Sequence, residues 1–114
     1  MMILRMKEHR LTDAQRAAAA EQSLYQALLT LRTPEECQRF LADLCTPAEL
    51  EAIVDRWAVV PLLQEGLPYR RIHDLTGVSV TTIGRVARYL SNGNGGYQLA
   101  LARLAKSGRG SALQ

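Results

Sequence analysis

The sequence predicts an all-α fold of about six helices that includes a helix-turn-helix. Apolar residues recur at helical spacing, two threonine-proline pairs mark helix starts, and no alternating β-branched run is bounded by turn residues. The 114 residues suffice for one domain, and 47% apolar with 22% charged residues is ordinary for a folded chain. A domain of this size buries roughly 65% of its unfolded surface, so subunit association is an expected source of further stability.

The first half of the chain predicts three helices. Residues 12–31 favour a helix by propensity and by an apolar stripe. Thr33 and Thr46 are each followed by proline and, three residues after the threonine, by glutamate, which is the capping-box pattern. Apolar residues at helical spacing follow each box, and the second series reaches about Gly66. Pro61 lies within this longer helix and is expected to kink it or to end it early.

A short helix, a turn and a second helix are predicted over about residues 68–90. Gly77 is expected to close the first helix tightly because glycine adopts positive φ without strain. Val78 is expected to fill the angle between the two helices, and Ser79 to cap the second. A flexible connection at 91–96 leads to a last helical stripe.

The second helix of this motif has two chemically different faces. At about 100° per residue, Ile83 and Val86 point to one side, whereas Thr81, Arg85 and Arg88 point to the opposite side. Arginine binds guanine O6 and N7 with two hydrogen bonds, and threonine contacts a base edge, a thymine methyl or a phosphate. The pattern therefore predicts a recognition helix for the major groove of DNA.

Glycine within this helix is unexpected. Gly84 costs the helix roughly 1 kcal/mol relative to alanine. Either it lets DNA or a neighbouring helix approach closely, or it leaves the recognition helix loose until DNA binds. The sequence does not separate these alternatives.

Charge separates the two halves of the chain. Residues 1–65 carry seven basic and ten acidic side chains, whereas residues 66–114 carry seven basic side chains and one acidic residue, Asp74. This asymmetry is typical of an anion-binding surface, although a solvated basic face is the alternative. Side chains at the start of the first helix are expected near the sugar-phosphate backbone, while the second helix contacts bases. The predicted DNA-binding residues are Tyr69, Arg70, Arg71, Ser79, Val80, Thr81, Thr82, Arg85 and Arg88.

Five segments in order carry a resemblance to a known family. They are EECQRFLADLCT at 35–46, RW at 56–57, EGLPYRRI at 65–72, TGVSVTTIGRVARYL at 76–90 and GNGGY at 93–97. Through them the chain resembles the Trp-repressor-like family, most closely its YerC/YecD branch.

The resemblance implies an intertwined homodimer whose paired helix-turn-helix motifs bind operator DNA. It implies a DNA-binding domain over 23–106, preceded by an N-terminal extension (1–22), for which a helix is one alternative. Residues 107–114 are expected to form a flexible tail.

The same resemblance indicates where an effector would bind. Thr46, Arg56 and Arg85 match the ligand-contacting threonine and arginines of the Trp repressor. Val86 and Tyr89 stand where that protein has a glycine and a serine, and their bulk is expected to fill the space of the indole ring. Tryptophan is therefore not the expected effector, and the effector's identity stays open.

Other classes of function find less support in the sequence. His9 and His73 have no metal-ligand spacing around them, Cys37 and Cys45 form no disulfide framework, and no nucleophile has an evident catalytic partner, so neither a metal site nor an enzyme is expected. The sequence has no apolar run of membrane length and no export signal, which predicts a cytoplasmic address.

The predicted function is sequence-specific binding of double-stranded DNA by a homodimeric transcriptional regulator, with repression as the expected sign. A helical protein-interaction module without sequence-specific DNA binding is the alternative, motivated by the apolar content of residues 24–63.

Overall fold

The computed structural model describes residues 11–108, so the expectations for residues 1–10 and 109–114 lie outside the described part. Within that part the chain forms six α-helices and no strand, as the sequence predicts. None of these helices combines the length and apolarity needed to span a membrane. The helices are α1 (Asp13–Leu29), α2 (Pro34–Leu44), α3 (Pro47–Gln64), α4 (Tyr69–Thr76), α5 (Val80–Asn92) and α6 (Gly96–Ser107).

The chain divides after Leu44 into two compact units. The described part of the first unit consists of α1 and α2. Thr12 and Gln15 form a reciprocal capping box at the start of α1, with hydrogen bonds of 2.9 and 3.1 Å. At the start of α2, the hydroxyl of Thr33 accepts the N–H of Glu36 at 3.1 Å. Neither helix has a buried side chain.

The second unit begins with α3, which has the predicted capping box between Thr46 and Glu49. Of the two effects expected of Pro61, an early end of this helix does not occur, since α3 continues through the proline to Gln64. Proline removes one backbone hydrogen bond, and the burial of the neighbouring Val59 and Val60 offsets that loss.

A hydrophobic core lies entirely within the second unit. It brings together side chains from α3, α4, α5 and the turn between α4 and α5, and α6 packs against it. Because α3 supplies two fully buried valines, it anchors the helix-turn-helix formed by α4 and α5. The buried residues are Val59, Val60, Ile72, Val78, Ile83 and Val86.

The connection between α5 and α6 is shorter than predicted. It covers residues 93–95, because α5 continues to Asn92 and α6 begins at Gly96. A Cβ atom at Gly93 would lie 2.2 Å from the carbonyl oxygen of Tyr89, so this sharp departure from the helix requires glycine. The short connection leaves α6 close enough for Gln98 to donate a hydrogen bond to the Leu90 carbonyl at 3.1 Å.

Candidate nucleic-acid interface

Helix α5 has one buried face and one exposed face, as its sequence predicts. Ile83 and Val86 are 0% and 1% exposed and form part of the core. On the opposite face, Thr81, Arg85 and Arg88 are exposed to solvent. The burial of one face therefore fixes the direction in which the hydroxyl and the two guanidinium groups project.

The turn between α4 and α5 holds the two helices at a defined angle. Gly77 has φ of +76° and donates its N–H to the carbonyl of His73 at 2.8 Å. Val78 is 5% exposed and fills the angle between the helices, as predicted. The Thr76 hydroxyl donates to the carbonyl of Ile72 at 2.7 Å and accepts the N–H of Val78 at 3.1 Å.

A histidine adds a contact to this turn that the sequence did not reveal. His73 Nδ1 lies 2.7 Å from the carbonyl oxygen of Val78. Since a carbonyl only accepts hydrogen bonds, the Nδ1 nitrogen carries the proton in this contact. The His73 side chain thus links the turn at Val78 to helix α4.

The first turn of α5 is capped by a side chain. The hydroxyl of Ser79 accepts the N–H of Thr82 at 3.1 Å, and the two hydroxyl groups also lie 3.1 Å apart. Ser79 and Thr82 are therefore engaged with each other in the absence of DNA. Val80, between the cap and Thr81, is 52% exposed despite its apolar side chain.

The two arginines of α5 share an aromatic neighbour. The guanidinium carbon of Arg85 lies 5.3 Å from the ring centre of Tyr89, and that of Arg88 lies 5.8 Å from it. Cation–π attraction at such distances favours arginine rotamers that stay near the ring. The spacing of Arg85 and Tyr89, four residues apart on a helix, is the sequence signal that could have revealed this contact.

Helix α4 places three more predicted residues at its exposed start. Tyr69, Arg70 and Arg71 form its first turn and are all exposed. A Cβ atom built on Gly84 of α5 would lie 3.8 Å from Cε2 of Tyr69, which is ordinary van der Waals contact. The space beside Gly84 thus accommodates an alanine side chain, and Tyr69 is the neighbour that a larger side chain would meet.

Within the described part of the chain, no carboxylate forms an ion pair with an arginine of α4 or α5. Among residues 11–108 the ion pair that forms is Arg16 with Asp13, at the start of α1. The charge of the α4 and α5 arginines is thus available to an anionic partner. The same stretch of chain contains no group of three histidine, cysteine or carboxylate side chains placed to hold a metal ion.

Two of the three effector-site residues suggested by the resemblance border one cleft. Arg56 of α3 and Arg85 of α5 line it, whereas Thr46 does not and instead caps α3 through its bond with Glu49. The cleft has a volume of about 310 Å³. Tyr97, which the sequence did not single out for this cleft, lies in α6 with its ring centre 6.3 Å from that of Trp57. The lining residues are Arg56, Arg85, Val86, Tyr89 and Tyr97.

Comparison with known proteins gives a consistent result. The family model for the Trp repressor protein matches residues 19–105. The uncharacterized protein YerC of Bacillus subtilis is 42% identical over 84 residues, which cover 74% of this chain and 81% of YerC.

Two solved structures are similar in both sequence and fold. A TrpR-like protein from Eubacterium eligens superposes with a TM-score of 0.73 at 38% identity, covering 76% of this chain and 90% of that protein. A candidate Trp repressor from Staphylococcus aureus also gives a TM-score of 0.73, at 35% identity, covering 88% and 93% of the two chains.

Proposed function

Because the chain belongs to the Trp repressor family, we propose that it is a transcriptional regulator that binds double-stranded operator DNA as a homodimer. We propose that it represses transcription by occupying the operator. The observation that carries the proposal is the exposed face of α5, where Thr81, Arg85 and Arg88 project opposite the buried Ile83 and Val86.

In this proposal α5 enters the major groove. Arg85 and Arg88 donate hydrogen bonds to guanine O6 and N7, for which the planar guanidinium is well matched. Thr81 contacts a base edge or a thymine methyl, and the exposed Val80 is suited to apolar contact with a methyl group. The rigid attachment of α5 to the core keeps these side chains in register with the bases.

The phosphates are bound around this helix. Arg70 and Arg71 lie in the first turn of α4, where they provide two positive charges without a carboxylate partner among the described residues. At the start of α5, Ser79 satisfies the N–H of Thr82, while the remaining N–H groups of the first turn and the helix dipole favour a phosphate. These contacts supply affinity and salt dependence rather than sequence preference.

The homodimer is proposed from the apolar side chains that one chain leaves exposed. No side chain of α1 or α2 is buried, and Leu29 is 83% exposed. Large apolar side chains in such number favour association with a partner. A second copy is the proposed partner because a dimer would pair two α5 helices on the two halves of a palindromic operator.

We also propose that operator binding does not need tryptophan. Val86 is part of the core, and the ring of Tyr89 lies beside Arg85 and borders the cleft. Both side chains are larger than the glycine and serine expected for a tryptophan-binding member of the family. In the cleft between Arg56 and Arg85, the side chains of Val86 and Tyr89 then take the space that an indole ring would occupy.

The first experiment captures fragmented genomic DNA of the source organism on the purified protein and sequences the bound fragments. We expect enrichment of a palindrome whose half-sites lie about one helical turn apart. A stable dimer that retains no DNA at low salt, and that binds a protein partner instead, would favour the interaction-module alternative. DNA retained without an enriched sequence would contradict sequence-specific regulation.

Two variants test whether α5 contacts bases and α4 contacts phosphates. Arg85→Ala is expected to lose about 1–3 kcal/mol on the preferred site and to relax the preference at one or two base pairs. Arg70→Ala is expected to weaken binding to all duplexes alike and to lower the salt slope by about one unit. Binding titrations on the preferred and a scrambled duplex over a range of salt concentrations separate the two effects. Wild-type behaviour of both variants would overturn the proposed interface.

A further inference from the structure

We propose that Tyr69 and Gly84 form one DNA-reading element, in which the Tyr69 ring of α4 covers α5 at Gly84 and its phenol contacts a base edge in the groove. The inference rests on the proposed function and deepens it. It assigns a specificity-determining role to a side chain that does not belong to the recognition helix, and it requires a small residue at position 84 of that helix.

Gly84 is half-buried and lies at the edge of the exposed face of α5. At about 100° per residue, it is turned about 60° from Thr81 and about 40° from Arg88 around the helix axis. The buried Ile83 and Val86 are turned about 100° and 160° from Gly84. The exposed face therefore has, along one edge, a position without a side chain beside two residues that are proposed to enter the groove.

Tyr69 occupies the space over this position. Its Cε2 atom lies 3.8 Å from the point where a Cβ atom of residue 84 would stand. The edge of the Tyr69 ring therefore lies beside α5 at the position that lacks a side chain. A large residue at 84 would have to share this space with the ring.

The phenol of Tyr69 is available for a ligand. Its side chain is 42% exposed, and its hydroxyl has no hydrogen-bond partner among residues 11–108. A phenol both donates and accepts hydrogen bonds, so it matches the acceptors N7 and O6 of guanine, N7 of adenine and O4 of thymine, and the amino groups of adenine and cytosine. The position of the ring beside Gly84, next to Thr81 and Arg88 of α5, favours a base edge over a phosphate.

The decisive variant is Tyr69→Phe, which removes the hydroxyl and keeps the ring that packs on Gly84. Selection from random duplexes is carried out with wild type and variant, and binding of the selected site and its single-base changes is then titrated. We expect the variant to lose preference at one base pair of each half-site by about 2- to 10-fold, the range for one hydrogen bond. Its salt slope should equal that of wild type, since no charge is removed.

A control is Tyr25→Phe in α1, which also removes a phenol hydroxyl from a half-exposed tyrosine. That hydroxyl bonds to Glu21 and lies outside the helix-turn-helix. This control should retain the wild-type preference at every base pair.

Two substitutions of Gly84 test the other half of the pair. Gly84→Ala places its Cβ atom at ordinary contact distance from the Tyr69 ring and should keep the sequence preference. Gly84→Leu needs the space of the ring and should lose preference at the same base pair as Tyr69→Phe. Circular dichroism and thermal unfolding of each variant establish that it is folded.

The outcomes separate this inference from the proposed function. A wild-type palindrome with an unchanged preference in Tyr69→Phe overturns the Tyr69–Gly84 element and leaves the regulator in place. Uniform weakening on all duplexes also overturns it, by assigning Tyr69 to the phosphates. If wild type selects no sequence, the proposed function fails, and the specificity role of Tyr69 fails with it.

Discussion

The two units of the chain use apolar side chains in opposite ways. In the second unit they meet in a core, where Ile72 and Ile83 are fully buried. In the first unit α1 and α2 bury no side chain, although α1 carries leucines at helical spacing. The difference indicates that one chain is sufficient to shape the helix-turn-helix, whereas the first unit has apolar surface left for a partner.

The largest expected effect breaks the core of the second unit. Ile72→Ala should destabilise the protein by about 2–5 kcal/mol, because the removed side chain leaves a cavity among fully buried neighbours. Urea unfolding followed by circular dichroism measures the change. Leu75→Ala is the matched control on the same helix, since Leu75 is exposed, and it should change the free energy of unfolding by no more than about 0.5 kcal/mol. Equal losses for the two variants would show that α4 is not held by this core.

The second prediction addresses the exposed side chains of the first unit. In the proposed homodimer, Leu29→Glu should convert dimer to monomer over the micromolar range, because the new carboxylate would need to be desolvated at the interface. Sedimentation velocity at several protein concentrations measures the change. Leu75→Glu introduces the same charge at an exposed leucine of α4 and should leave the dimer intact. A wild-type protein that sediments as a monomer at every concentration would contradict the dimer.

The third prediction tests whether the cleft of the second unit binds tryptophan. A ligand at about 100 times its dissociation constant stabilises the folded state by about 2.7 kcal/mol, which raises the midpoint of thermal unfolding by several degrees. We expect no shift of that midpoint with millimolar tryptophan, because Val86 is buried in the core and Tyr89 borders the cleft. Tyr89→Ser provides the comparison, since it enlarges the cleft beside Arg85. A shift for wild type would show that the cleft accepts the amino acid.

The sequence predicted the helices and the helix-turn-helix because their signals are local. The cap at Thr46, the positive φ at Gly77 and the burial of Val78 each depend on residues close in the chain, and all three are present. Local pattern left open whether α3 would end at Pro61 or continue past it, because the burial of Val59 and Val60 beside the proline involves residues from other helices. Nor did local pattern reveal that the ring of Tyr69 lies beside Gly84, fifteen positions further along the chain.

In the candidate site, too, features set by local sequence could be predicted, whereas contacts between distant residues could not. Residues that share one helix face, such as Arg85 and Arg88, could be assigned from periodicity. Tyr97 could not, since its place beside the cleft follows from how α6 folds back after Gly93. DNA contacts themselves stay predictions until binding is measured.

The smallest expected effect compares the helix caps of the two units. The box at the start of α1 uses Gln15, whereas that of α3 uses Glu49, so the same geometry is neutral in one unit and charged in the other. Hydrogen bonds from the backbone N–H and the hydroxyl of Thr46 lower the pKa of Glu49 below its ordinary value of 4.5. A lowered pKa means that the stabilisation is present above the unfolded-state pKa and is lost as the pH falls through the folded-state value.

Glu49→Gln gives α3 the neutral box of α1 and isolates this effect. At pH 7 we expect wild type to unfold at a slightly higher temperature than the variant, because the carboxylate also interacts favourably with the start of the helix. When the pH falls below the folded-state pKa, Glu49 becomes protonated and resembles glutamine, so the two midpoints should converge. Gln15→Glu is the converse control in α1 and should create a similar difference where none existed. A difference between wild type and Glu49→Gln that stayed constant with pH would assign the effect to shape or packing and not to the charge of the cap.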